Sequence, residues 1–96
     1  RRRMQHLMRL IGRQRLCVLA TSNNARIAGA ISALSRELEC ADWSQPADAL
    51  ASFPKAELIG CRLRIALQDD YLVIIAVNCP AGILLVEFAG RTGNFK

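Results

Sequence analysis

A chain of 96 residues and 10.6 kDa, 52% apolar and 22% charged, makes one globular domain with a thin core and excludes a disordered polypeptide. Thirteen Lys and Arg against eight Asp and Glu give a net charge of +5, which permits a nucleic acid or an acidic protein as partner without choosing between them. No apolar run reaches the ~18 residues of a membrane-spanning helix, and residues 1–16 lack the unbroken apolar segment of a secretory signal, so a cytoplasmic protein with no membrane partner is expected.

In chain order, residues 8–11 predict a short strand ended by Gly12. Residues 13–20 predict a short helix with Leu16, Leu19 and Ala20 on one face. The run Thr21-Ser22-Asn23-Asn24 is rich in capping residues and predicts a second helix after it. Ile27, Ile31, Leu34 and Leu38 then recur at helical spacing, an apolar stripe on a helix ending near Ala41, with Ala28, Gly29, Ala30 and Ala33 small enough for close packing. Trp43 reads as a core plug before a third, short helix. Ser44 is its expected cap, Pro46 sits in its first turn, Leu50 and Phe53 face the core, and Pro54 stops it.

Beyond residue 55 the period changes from helix to strand. Residues 56–60 begin a strand, and in 62–68 Leu63, Ile65 and Leu67 alternate with Arg62, Arg64 and Ala66. Period two places the aliphatics on one face and both arginines on the other. Gln68-Asp69-Asp70 is a turn. Residues 71–78 are apolar on both faces, as in a central strand, Cys79–Gly82 is the next turn, and 83–89 form a last strand ended by Gly90, with 91–96 as a tail. Short connections predict an antiparallel meander. The expected architecture is α+β, with N-terminal helices packed on one face of a small, mainly antiparallel sheet and the other face partly open.

Charge is unevenly spread. Residues 1–36 hold eight arginines and no acid, whereas 37–96 sum to −3. Residues 1–7 read as a basic N-terminal extension ahead of a single domain over 8–96, either a solvated tail or a nucleic-acid-binding arm. The four cysteines, Cys17, Cys40, Cys61 and Cys79, lack zinc-knuckle spacing, and the lone His6 falls in the extension, so no metal and no cofactor are expected. With apolar neighbours they read as small core or half-buried residues of a reducing compartment.

Familiar catalytic signatures are missing: there is no phosphate-binding glycine loop, no nucleophile elbow and no histidine in 8–96, and Asp69-Asp70 reads as turn chemistry. What remains is cationic. Arg62 and Arg64 share a strand face and Arg91 leaves the end of another strand, a set able to converge on phosphates. The competing reading is that the first two pair with Glu57 or Glu87 and solvate the open face. RNA cleavage needs alignment of the 2′-oxygen, cations for the phosphorane and an acid for the leaving oxygen, and arginines meet only the second need.

Taken from Met8, the order of features resembles the HigB toxins of bacterial toxin–antitoxin modules, which have a RelE-like fold. The opening Met8-Arg9-Leu10-Ile11-Gly12-Arg13-Gln14-Arg15-Leu16 resembles that family's first strand and helix. Trp43-Ser44, Ala47-Asp48 and Phe53-Pro54-Lys55-Ala56 resemble its Trp-Ser, Ala-Asp-Val and Phe-Pro-x-Ala stretch. The strand 62–67, Tyr71 after the hairpin, and Phe88-Ala89-Gly90 resemble later family features. The resemblance implies a ribosome-dependent messenger-RNA endoribonuclease, neutralised by a cognate helix-turn-helix antitoxin, with ribosome and mRNA as further partners and no small-molecule cofactor. It implies catalytic roles for Arg62, Arg64 and Arg91 on the phosphate, with Tyr71 or Lys96 assisting, and RNA contacts by Arg9, Arg13, Arg15 and Lys55.

The departures fall where activity would lie. Leu72 replaces the family's arginine after the tyrosine, and Glu87 replaces a common basic residue. Thr92 and Phe95 stand where the family tail has histidine and tyrosine. Neither is a general acid at neutral pH, and loss of such an acid costs about 10²–10⁴ in rate. The alternative implied is a catalytically inactive toxin-fold protein that serves as an antitoxin-binding or regulatory partner.

Overall fold

The computed structural model describes residues 8–21 and 25–94. The basic extension 1–7, most of the capping-rich loop and Lys96 lie outside the described residues. Strand β1 (Arg9–Ile11) leads into helices α1 (Arg13–Thr21) and α2 (Ala25–Glu39). A 3-10 turn at Pro46–Asp48 runs into the single-turn helix α3 (Ala49–Ser52). Strands β2 (Glu57–Ile59), β3 (Arg62–Ala66), β4 (Tyr71–Asn78) and β5 (Ile83–Arg91) follow, then a 3-10 turn at Thr92–Asn94. No helix among the described residues is long and apolar enough to cross a membrane.

The five strands form one sheet in the order β1-β5-β4-β3-β2. The β3–β4–β5 meander is antiparallel as expected, and β2 adds a hairpin to it through Gly60-Cys61. At the far edge β1 runs parallel to β5. Parallel pairing requires a crossover, and the helices supply it by carrying the chain across the sheet face before the meander begins. The Met8 N–H donates to the Ala41 carbonyl at 3.0 Å and the Arg9 N–H to the Gly82 carbonyl at 2.7 Å, fastening β1 between the end of α2 and the β4–β5 turn.

The core follows the sequence periodicities. Ile27, Ile31, Leu34 and Leu38 of α2 are buried together with Leu16 and Leu19 of α1. They meet Leu63, Ile65, Val73, Ile75, Val77, Leu84 and Val86 from the sheet, and Trp43 is buried with them as the expected plug. Trp43 meets the Phe53 ring edge-on, 6.3 Å between centroids. β4 occupies the centre of the sheet, and Leu72 and Ile74 on its other face are also only 3% exposed.

Several local expectations change. Helix α2 ends at Glu39, with the Ala41 N–H bonded back to the Leu38 carbonyl in a tighter last turn. Ser44 does not cap the third helix through its side chain. Instead the Asp48 carboxylate reaches back to accept the N–H groups of Ser44 and Gln45 at 3.0 and 3.3 Å, because Pro46 has no N–H to offer. Gly90 does not end β5, since it pairs with Leu72, and Arg91 pairs with Tyr71. Its missing Cβ is the place where the Phe88 ring lies, only 3.2 Å from where a Cβ would stand. Three cysteines expected in or near the core, Cys17, Cys40 and Cys61, are exposed, and Cys79 is half-buried.

Gly12 turns the chain from β1 into α1 at φ +85°, and a Cβ there would stand 3.0 Å from the Val86 carbonyl oxygen. Gly29 lies exposed in α2 with open space where a Cβ would go. Gly12→Ala is expected to cost about 1–3 kcal/mol, and Gly29→Ala to add up to about 1 kcal/mol. Urea denaturation should show the two midpoints moving in opposite directions.

Candidate nucleic-acid interface

Strand parity sorts the charged residues before any contact is considered. Along β3, Leu63 and Ile65 are buried toward the helices while Arg62 and Arg64 share the opposite, open face, as expected. Their register partners Ile59 and Glu57 share that face, as do Ala76 and Ile74 of β4. On β5, Phe88 lies opposite Ile74 and its ring covers Gly90, which lies opposite Leu72. That ring helps bury two leucine-sized side chains on a face that carries no helix.

The pairing of β4 with β5 skips one residue. Ile74 faces Phe88 and Ile75 faces Val86, so Glu87 is the extra residue of a β-bulge. The bulge inverts parity beyond it. Val86 points into the core, yet Ala89 packs on the core too, and Arg91, opposite Tyr71, follows Ala89. The Arg91 guanidinium stands over the Tyr71 ring, 5.3 Å from its centroid, and Tyr71 packs against the core. Tyr71 and Arg91 therefore belong to the helix-bearing face, whereas Arg62 and Arg64 belong to the open one. The four described residues expected to act on one phosphate are divided by the sheet.

Other cations have local duties. Arg62 Nε donates to Glu87 Oε1 at 2.7 Å, reaching across β4 near the small Ala76. That hydrogen bond, with the Glu87 charge, raises the Arg62 pKa further and holds it as a cation. Arg13 pairs with Glu39, tying the start of α1 to the end of α2. Arg15 borders a shallow groove with Gln14, Val18 and Ala89 on the helix side. Arg9 lies on the open face, but at the β1 edge, three strand spacings or about 14 Å from β3. Lys96 lies outside the described residues.

What the fold does assemble is a pocket of about 280 Å³ at the β2–β3 rim of the open face. It is lined by Lys55, Glu57, Arg64, Ala66, Leu72 and Thr92. Lys55 arrives from the loop after α3, Glu57 and Arg64 from paired positions of the hairpin, and Thr92 from the turn after β5. Arg64 Nε stands 3.9 Å from Glu57 Oε1. The Thr92 hydroxyl donates to the Asp70 carbonyl at 2.9 Å, which fastens the C-terminal turn against the β3–β4 turn. Two cations beside one carboxylate at an open cavity give an arrangement that can attract an anionic group.

Lys55 and Arg64 were legible as candidates from sequence and are brought together here. Glu57 was legible only as an ion-pair partner. Its place in the pocket follows from the hairpin register, which a turn centred on Gly60-Cys61, with Gly60 at φ +62°, already implies. In the sequence Thr92 stands out only as a departure from the family tail, not as a pocket wall.

Among the described residues no group of three or more His, Cys, Asp or Glu is placed to hold a metal ion. No protein-family model matches the chain, and no curated protein matches it.

Burial, helped by the charges of Asp48 and Cys61, raises the Cys79 thiol above its ordinary pKa. With iodoacetamide at mildly alkaline pH, the exposed Cys17, Cys40 and Cys61 should alkylate before Cys79, because the thiolate is the reactive form. Peptide mass spectrometry of a time course reads the order directly, and Cys79 reacting first would contradict it.

Proposed function

We propose that the protein is a HigB-like toxin of a type II toxin–antitoxin module, a cytoplasmic endoribonuclease acting on messenger RNA at the ribosome and held in check by a helix-turn-helix antitoxin. The observation that supports it is the rim pocket that gathers Lys55, Arg64 and Glu57 on an open sheet face. An RNA phosphate would neutralise the two cations there. Glu57 would take the proton from the 2′-hydroxyl as its oxygen attacks phosphorus, and Lys55 and Arg64 would stabilise the phosphorane. The bond to the 5′-oxygen then breaks, leaving a 2′,3′-cyclic phosphate and a 5′-hydroxyl, with the leaving oxygen protonated by Lys55 or water.

A second reading has its own support. The Thr92 hydroxyl is already donated to Asp70, and Tyr71 and Arg91 lie on the far face of the sheet. A pocket without a strong acid is suited to holding RNA rather than cutting it. In this reading the chain is an RNA-binding, catalytically inactive toxin-fold protein that serves as a regulatory or antitoxin-binding partner.

Both readings place RNA on the same two cations. Replacing Lys55 and Arg64 together by glutamate should weaken binding of single-stranded RNA and lower the slope of log affinity against log salt by about 0.7 per lost phosphate contact. The same changes at Arg91 and Arg15 should leave the open-face contact intact. An unchanged slope in the double variant would remove the pocket from the interface. Glu57→Gln separates the readings. Under the endoribonuclease reading, induced expression arrests growth and fragments transcripts, and the variant loses about 10²–10⁴ in cleavage rate while still binding RNA. Absence of growth arrest and of fragments from the unaltered chain selects the inactive reading.

A further inference from the structure

Beside the cationic pocket lies a second cleft, of about 430 Å³, within the range of small-ligand sites. Ser52, Phe53, Pro54, Ala56 and Ile65 wall it, and it shares Lys55 and Ala66 with the first pocket. The cleft exists because β2 is short. β2 begins at Glu57, opposite Arg64, so Ile65 and Ala66 run past its end. The segment 52–56 passes there instead, with the Phe53 ring braced edge-on against Trp43.

The backbone of β3 adds a polar edge to this apolar space. The Val77 N–H donates to the Cys61 carbonyl at 2.8 Å, and the Leu67 N–H to the Tyr71 carbonyl at 2.7 Å. Odd-numbered residues of this stretch thus direct their backbone groups toward β4. By the alternation of an antiparallel ladder, Ala66 directs its N–H and C=O the other way, toward the cleft that β2 leaves uncovered. The site offers apolar walls for a flat ring, a neighbouring donor and acceptor for the ring's edge, and two cations one step away.

We infer that this cleft takes one unpaired nucleobase of single-stranded RNA while the adjoining phosphate rests on Lys55 and Arg64. This rests on the RNA reading above and extends it to the base. Only a base free of its partner presents both a bare face and a free edge, so duplex RNA is not a ligand of the cleft.

The test uses the full chain and fluorescence anisotropy with two probes of equal length and charge, a short single-stranded RNA of mixed sequence and its abasic ribose-phosphate counterpart. The unaltered protein should bind the base-bearing probe about tenfold more tightly. Ser52→Phe fills the cleft from an exposed position and should erase that preference while leaving abasic binding unchanged. Phe53→Ala should do the same, with circular dichroism confirming that loss of the Trp43 contact has not unfolded it. Lys55→Glu should weaken both probes. Equal binding of the two probes by the unaltered protein, or a preference untouched by Ser52→Phe, overturns the nucleobase site and leaves the phosphate pocket standing. Failure of both probes to bind overturns the RNA reading itself.

Discussion

A single extra residue in β5 governs which side chains of this sheet can meet. Without the bulge at Glu87, strict alternation from the core residue Val86 would carry Phe88 and Gly90 inward and bring Arg91 out beside Arg62 and Arg64. With it, Phe88 turns outward over Gly90, Ala89 joins the core, and Arg91, itself exposed, settles on Tyr71 on the helix-bearing side of the sheet. Glu87 itself is left at the open face, where it engages Arg62. One insertion therefore sets both the aromatic cover of the exposed face and the division of the arginines.

The central strand imposes the complementary requirement. Leu72, Val73, Ile74, Ile75 and Val77 need shelter on both sides of β4, but helices cover only one. Shelter on the other side comes from what the neighbouring strands provide, chiefly Phe88. The middle of the open face is thereby closed, and open space is displaced to the rim where β2 gives out. Polar groups gather at that rim because Lys55, Glu57 and Arg64 flank the short hairpin, and Thr92 is pinned nearby by Asp70. The pocket is thus a by-product of a truncated edge strand, two places from the apolar β4.

Much of the framework was legible in the amino-acid order, for reasons that also explain what was not. The α2 stripe and the two-faced apolar run of β4 are long enough for their periods to identify them, and both fall where expected. β1 has three residues, too few to announce a parallel partner almost the whole chain away. The bulge leaves no mark in Leu85-Val86-Glu87-Phe88-Ala89, since a charged residue among apolar ones fits either parity. Cys79 is half-buried as expected, but Cys17 is exposed despite its apolar neighbours, because sequence neighbours on a helix point in different directions. Cys17 sits between buried Leu16 and exposed Val18 and shares the surroundings of the second. Of the candidate site, Lys55 and Arg64 came from charge and period, whereas their company required knowing where β2 ends.

The two outermost strands have a consequence for how the molecule tolerates crowding. β1 and β2 are three residues long, and each sets a charged side chain, Arg9 or Glu57, on the open face. Such a border offers an incoming polypeptide few backbone hydrogen bonds and an unfavourable charge to bury, which guards a strand-rich fold against edge-to-edge polymerisation. Because both strands also expose an isoleucine on that face, Ile11 and Ile59, the guard rests on their shortness and their charge.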